Sequence, residues 1–312
     1  MSMSIFTNAA SMASTNAMNN ANKLLTTSME RLGTGKRINS AADDAAGLQI
    51  ATRLQGQSNG MTVAQRNIAD STAMMQTAEG AFDEVSNIMY RMKDLATQAA
   101  NDTNTQKDRD AINTELNDLN AELGNIMKNT SYAGEKLFGA SGKFGKELSF
   151  QIGSSADETM KVDLSAELGG AGGASGASGA STGLIDGSGN FNGLNGSGYT
   201  ISASGASGAS TSSIEIKDAA GAKALMEDLE KTLDDVGSVR SKMGASINRL
   251  SYAASNLANM QDNTDLALSN VRDANYATEA SSMTRNQLLS QTSMSMLKQS
   301  NSMSSMVVSL LG

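Results

Sequence analysis

Leu54, Met61, Ile68, Met75, Phe82 and Met89 stand seven residues apart without a break. A second row, Ala64, Ser71, Ala78, Val85 and Met92, repeats the period three residues further on. Two rows offset by three and sustained over five heptads are the a/d seam of a left-handed coiled coil. The spacing predicts a long helix that buries one stripe against partner helices. The Met side chains in it read as core packing, since an unbranched thioether adapts to irregular gaps.

Other stretches repeat the device. Ile112, Leu116, Leu119, Leu123 and Ile126 seam a second helix, and Thr105 with Asp108 three residues on resembles a capping box at its start. A third long helix begins near Asp218 and carries Leu229, Val236, Met243, Leu250 and Leu257. Met18, Leu25 and Leu32, with Met29 between them, mark an N-terminal helix. Leu289, Met296, Met303 and Leu310 are again seven apart at the other end. A terminal helix of this kind gains its stability from packing, so these two rows read as seams for assembly.

Two zones depart from the helical period. Leu148–Ile152 and Met160–Leu164 alternate in polarity across the turn residues from Gly153 to Asp157, which predicts a β-hairpin. Residues 169–210 hold 14 Gly among 42, with Gly-Ala-Ser repeated three times over 173–181 and twice over 205–210. Such a segment buries too little apolar surface to offset its ordering entropy. It reads as an exposed insert in which Phe191, Leu194, Tyr199 and Ile201 support a small hairpin at best. The fold class is therefore mainly α: a long antiparallel helical bundle, a coiled-coil-like rod built from both chain ends, with a small hairpin region and this Gly/Ser-rich insert. We divide it into 1–42 with 271–312, 43–168 with 216–270, and the insert 169–215.

The composition excludes much chemistry. With no Cys there is no disulfide framework, thiol nucleophile or Cys-type zinc site. With no His, the commonest general base and metal ligand is missing, so neither a catalytic residue nor a metal or cofactor is expected. A net charge of −8 argues against phosphate neutralisation on nucleic acid. No run approaches the roughly 20 apolar residues of a membrane span, and no cleavable secretory signal precedes Lys23. Charge also partitions: the segments 1–42 and 271–312 together carry +4, and the middle of the chain carries −12. Weakly charged ends suit helix-on-helix packing, and an acidic middle suits solvent.

Two short motifs invite sharper readings. Ser40-Ala-Ala-Asp43-Asp44 reads as a helix start, with Ser40 capping and two carboxylates in the positive first turn. An acid/base pair or metal site at Asp43 and Asp44 is disfavoured, because adjacent helical residues do not share a face. Arg31-Leu-Gly-Thr-Gly-Lys36-Arg37 lacks the phosphate-loop spacing, so its two Gly read as a hinge. Lys36 and Arg37 would then be free to face an acidic neighbour in an assembly.

These residues carry a resemblance. Glu30-Arg31-Leu32-Gly-Thr-Gly-Lys-Arg37-Ile38-Asn39-Ser40-Ala-Ala-Asp43-Asp44-Ala-Ala-Gly47-Leu-Gln-Ile-Ala closely resembles the N-terminal signature of bacterial flagellins. Arg66–Asp70, Gln76–Gly80 and Leu95–Asn101 look like its continuation, and Phe150-Gln151-Ile152-Gly153 resembles the family's hairpin region. Asp273–Glu279 and Val308-Ser309-Leu310-Leu311 resemble the C-terminal signature. The resemblance covers about 1–165 and 218–312 and leaves out the insert.

The resemblance implies a structural subunit that self-assembles into the helical extracellular filament with which bacteria swim or swarm. It implies an inner domain of paired terminal helices, an outer helical rod and a projecting middle. Its partners would be other copies of itself, the flagellar type III export apparatus, a flagellin chaperone, and filament cap and hook-junction proteins. A chain exported unfolded needs no cleaved signal, and freedom from Cys and Pro suits export and refolding. A hook–filament junction protein of the same superfamily is the alternative. A chemoreceptor-like coiled coil would need a membrane span, and a metalloprotease insert would need His. Finally, Arg91-Met92-Lys93-Asp94-Leu95-Ala96 resembles the segment that vertebrate Toll-like flagellin receptors read, with Arg91, Leu95 and Glu115 at the matching positions. The other reading of these three is an interhelical ion pair between Arg91 and Glu115, with Leu95 in a subunit contact.

Overall fold

The computed structural model describes residues 8–139, 142–168, 184, 200–203 and 212–311. Its elements in order are α1 (Ala9–Thr34), α2 (Ala45–Ala99), α3 (Gln106–Asn129), β1 (Ser131–Tyr132), β2 (Glu135–Lys136), β3 (Leu148–Gln151) and β4 (Thr159–Val162). There follow a single turn α4 (Ser165–Leu168), β5 (Thr200–Ala203), β6 (Ser212–Glu215), α5 (Ala219–Arg272) and α6 (Tyr276–Leu311). The chain forms two compact units, one of Met1–Asn59 with Met260–Gly312 and one of Gly60–Asn259. The boundaries 59/60 and 259/260 fall inside α2 and α5.

The Gly60–Asn259 unit is built as the heptads require. Met61, Ile68, Met75, Phe82 and Met89, together with Ala64, Ser71, Ala78, Val85 and Met92, are all buried on α2, and Leu54, in the other unit, is half-buried. Against them lie Leu229, Val236, Met243 and Leu250 of α5, each no more than 1% exposed. Ion pairs Asp83–Arg240 at 2.9 Å and Lys93–Glu230 at 3.7 Å fix α2 and α5 as antiparallel. On α3, Ile112, Leu116 and Leu123 are buried, and Met127 replaces the expected Ile126 as the innermost residue of the last turn. The capping box holds: Thr105 and Asp108 exchange hydrogen bonds with each other's main-chain amides. Donation from the Thr105 hydroxyl, then from its amide, keeps the Asp108 carboxyl below its ordinary value.

Among the described residues, three two-stranded antiparallel sheets complete the unit. The expected hairpin is β3–β4, in the register Leu148↔Val162 to Gln151↔Thr159. Met160 and Val162 bury their side chains while Thr159 and Lys161 face out, the period-two alternation that marked the strand. β1 and β2 are joined by Ala133-Gly134, both at positive φ (51° and 84°) as a two-residue hairpin turn demands. In the core Phe82 meets Phe138 edge-on with ring centroids 5.0 Å apart, and Phe138 stacks on Phe144 at 6.1 Å.

β5 pairs with β6, so Ile201 does belong to a small hairpin, whereas Phe191, Leu194 and Tyr199 lie outside the described residues. The other side of β6 meets α3. Asn113 donates to the Ile216 carbonyl at 3.1 Å and accepts from the Ile216 amide at 3.0 Å. One turn later Asn117 does the same with Ile214, at 3.0 Å and 2.6 Å. Four residues of helix rise about 6 Å, close to two residues of strand at about 6.7 Å, so the two amides fall in register with the strand.

Candidate functional site

In the unit formed by 1–59 and 260–312, α1 and α6 run antiparallel. Asn8 donates to the Ser300 hydroxyl at 2.8 Å, Ser290 donates to Asn22 at 2.8 Å, and Arg31 meets Glu279 at 3.5 Å. The inward row of α6 is Glu279, Met283, Asn286, Ser290, Ser293, Leu297 and Ser300, at spacings alternating between four and three. On α1 the facing row is Ser11, Ser14, Met18, Ala21, Leu25, Ser28 and Leu32. The contact is a heptad seam made largely of small and polar side chains, the kind that lets two helices approach closely.

The proposed seam residues thus divide. Met18, Leu25 and Leu32 are half-buried on the α1 row that faces α6. Leu289, Met296 and Met303 flank that inward row on α6, one residue before Ser290, Leu297 and the next turn, and are exposed by 49%, 60% and 58%. Leu310 lies within α6, and its side chain is outside the described residues. Met12, Leu24, Met29, Leu288 and Met294 are exposed as well. A reading that follows the largest apolar residues finds the exposed row of α6. It misses the inward one, where Met283 and Leu297 are interleaved with the polar Asn286, Ser290, Ser293 and Ser300.

The two signature segments meet in the same unit. Gly35 ends α1 at φ 72° and its amide returns to the Arg31 carbonyl. The positive φ favours glycine here, and a Cβ would stand 2.9 Å from the hydroxyl at the end of the exposed Tyr276 side chain, which would have to shift. Lys36 and Asp273 form an antiparallel bridge, flanked by Arg37 N–H to the Arg272 carbonyl at 2.6 Å and Ala274 N–H to the Gly35 carbonyl at 3.0 Å. The Arg37 guanidinium reaches the Val271 carbonyl at 2.8 Å and Asp44 at 3.8 Å, so Arg37 is engaged within the chain.

The start of α2 corrects the expected cap. Ser40 does not cap it; Asp44 does, accepting the Gly47 amide at 2.8 Å, and the helix begins at Ala45. Asp43 instead ties the preceding turn, accepting the amides of Ser40 and Asn39 and the Ser40 hydroxyl. The Ser40 amide first, then that of Asn39, holds the Asp43 carboxyl below its ordinary value. The extra residues between Ser40 and the helix are spent on this Asp-centred turn. Asn275 caps α6 through the amides of Ala277 and Thr278.

In the Gly60–Asn259 unit, Arg91 and Glu115 come together, with the Arg91 guanidinium on one carboxylate oxygen at 2.7 Å and 3.1 Å. Both side chains are about half exposed. Leu95, a turn further along α2, is 3% exposed and belongs to the core of the unit. Among the described residues no group of three or more acidic side chains is placed to hold a metal ion, and no helix is long and apolar enough to cross a membrane.

With these elements placed, comparison with known proteins decides the family. The N-terminal helical region of bacterial flagellin matches residues 5–143, and its C-terminal helical region matches 226–311. The chain belongs to the bacterial flagellin family. Polar flagellin F of Vibrio parahaemolyticus is 34% identical over 380 residues, and flagellin A of Vibrio cholerae is 33% identical over 381, each alignment covering 100% of both chains. Among solved structures, a putative flagellar hook-associated protein from Vibrio parahaemolyticus aligns with a TM-score of 0.56. It is 16% identical and the match covers 74% of this chain and 100% of that one, a likeness of fold alone. With flagellins matching end to end, the hook–filament junction alternative is not favoured. Flagellins are a structural rather than an enzymatic family, and both matched regions are the helical ones that the heptads marked.

Proposed function

We propose that this flagellin is the structural subunit of an extracellular bacterial filament, a helical homopolymer that serves motility. The observation that carries the reading is the exposed row of α6. Leu289, Met296 and Met303 stay exposed after α1 and α6 have paired, and burying each contributes roughly 1.5–3 kcal/mol. A repeated apolar row of this kind, offered to copies in a heterologous array, gives an open polymer. In that polymer 1–42 with 271–312 would be the inner domain of paired terminal helices and 43–168 with 216–270 the helical rod domain with its β-hairpin. Residues 169–215 form the surface insert, tied to the bundle at the buried Leu184 and Ile214. The export apparatus, a chaperone, and the cap and hook-junction proteins are the further partners this role requires.

Electron microscopy of the purified chain tests it. The unaltered protein should give long filaments, and Leu289→Asp with Met296→Asp and Met303→Asp should give single subunits of unchanged helix content. Discrete particles from the unaltered chain overturn the filament role, and filaments from the triple variant overturn the assignment of the row.

A second reading concerns Arg91 and Glu115, which are exposed side by side as a receptor contact would require. We infer that recognition by a Toll-like flagellin receptor, where it occurs, rests on this pair, with Leu95 supporting the helix from beneath. A receptor reporter assay on the subunit should lose its signal with Arg91→Ala. A silent unaltered protein would sink the reading.

A further inference from the structure

The methionines sort by unit. In the Gly60–Asn259 unit, Met61, Met75, Met89, Met92, Met127 and Met243 are 0% exposed, Met74 and Met160 are buried, and Met226 is half-buried. In the other unit none of the described methionines is buried. Met12, Met29, Met260, Met294, Met296 and Met303 are exposed, and Met18 and Met283 are half-buried. With no Cys in the chain, these exposed thioethers are its softest nucleophiles towards an oxidant.

We propose that Met294, Met296 and Met303 of α6, with Met12 and Met29 of α1, are reversible oxidation sites through which peroxide blocks assembly of the free subunit. The inference rests on the filament reading given above. In the reaction the sulfur lone pair attacks one peroxide oxygen and the O–O bond breaks. The thioether becomes a sulfoxide, oxidised by two electrons, while the peroxide is reduced to water. The product puts a polar S=O on exposed apolar positions, of which Met296 and Met303 belong to the row proposed for assembly. The core methionines, shielded by the bundle, keep their sulfurs, so the Gly60–Asn259 unit stays folded. The lesion is therefore a selective loss of self-association, and sulfoxide reductases can undo it.

The test treats the full-length unassembled chain with hydrogen peroxide and maps oxygen uptake by peptide mass spectrometry. Met12, Met29, Met294, Met296 and Met303 should oxidise about tenfold or more faster than the fully buried group, following exposure. At that point polymerisation should be lost while thermal unfolding of the bundle is unchanged, and methionine sulfoxide reductase treatment should restore it. A chain carrying Met294→Leu, Met296→Leu and Met303→Leu should polymerise before treatment and keep most of that ability after it. Equal oxidation of buried and exposed methionines overturns the proposal. So does normal polymerisation of the oxidised wild type, or full peroxide sensitivity in the substituted chain. An untreated wild type that does not polymerise is a different result: it overturns the filament reading itself, and the block on assembly falls with it.

Discussion

Replacing Asn113 by Ala should detach β6 from α3, and the geometry sets the size of the effect. Asn113 is 8% exposed, and its amide is both donor and acceptor to the main chain of Ile216, which is 0% exposed. Truncation leaves the Ile216 N–H and C=O without their partner in a site where water has little access. Each buried group left unsatisfied costs about 1–3 kcal/mol, so the variant should lose about 2–6 kcal/mol. Asn113→Asp keeps the acceptor but sets a second carboxylate oxygen against the Ile216 carbonyl. It should be at least as damaging at neutral pH and should recover in part as acid protonates that oxygen. The double variant with Asn117→Ala should lose less than the sum of the two, because one clamp has nothing to hold once the strand has left. Urea unfolding gives the free energies, and hydrogen exchange at the Ile214 and Ile216 amides reports the strand directly. A loss below about 0.5 kcal/mol with the Ile216 amide still protected would show that the ladder is incidental to the stability of β6.

Leu95→Ala should cost about 2–5 kcal/mol by cavity formation, whereas Arg91→Ala, which removes an exposed pair, should cost under about 1 kcal/mol; thermal melts separate the two. Ala133 holds φ 51° on the exposed β1–β2 turn, so Ala133→Asn should stabilise by about 0.5–1 kcal/mol, and no gain in denaturant midpoint would refute the strain. Hydrogen bonds hold the Asp43, Asp108 and Asp163 carboxyls below the ordinary 3.8, with the Ser165 hydroxyl the main cause at Asp163. Their support is therefore complete above 3.8 and lost as pH falls through the lower folded values. Circular dichroism during acidification should show the loss shrinking in Asp108→Asn. Deleting 173–210 should leave polymerisation intact by electron microscopy, since the clamp on β6 lies outside the deletion.

What the sequence determined alone is what a period can encode. The α2 rows from Met61 to Met92, and the row from Leu229 to Leu257 on α5, are long, apolar and regular, so burial follows from helical geometry whatever the partner. The capping box at Thr105 and the β3–β4 hairpin were legible for the same reason: both are local, set within a few residues of chain. The cap of α2 was not, because Ser40, Asp43 and Asp44 can all cap, and residue type alone does not say that Asp43 closes the preceding turn and leaves the Gly47 amide to Asp44. Asn113 and Asn117 look like ordinary exposed helix residues until a strand about a hundred residues away is laid against them. The inward face of α6 was decided in the same way. Its Asn and Ser residues have no hydrophobic signal, and only the approach of α1 made them the contact and left Leu289, Met296 and Met303 outside. Apolar periodicity tells which residues need a partner; the tertiary structure decides which partner each one gets within the chain and which it must find beyond it.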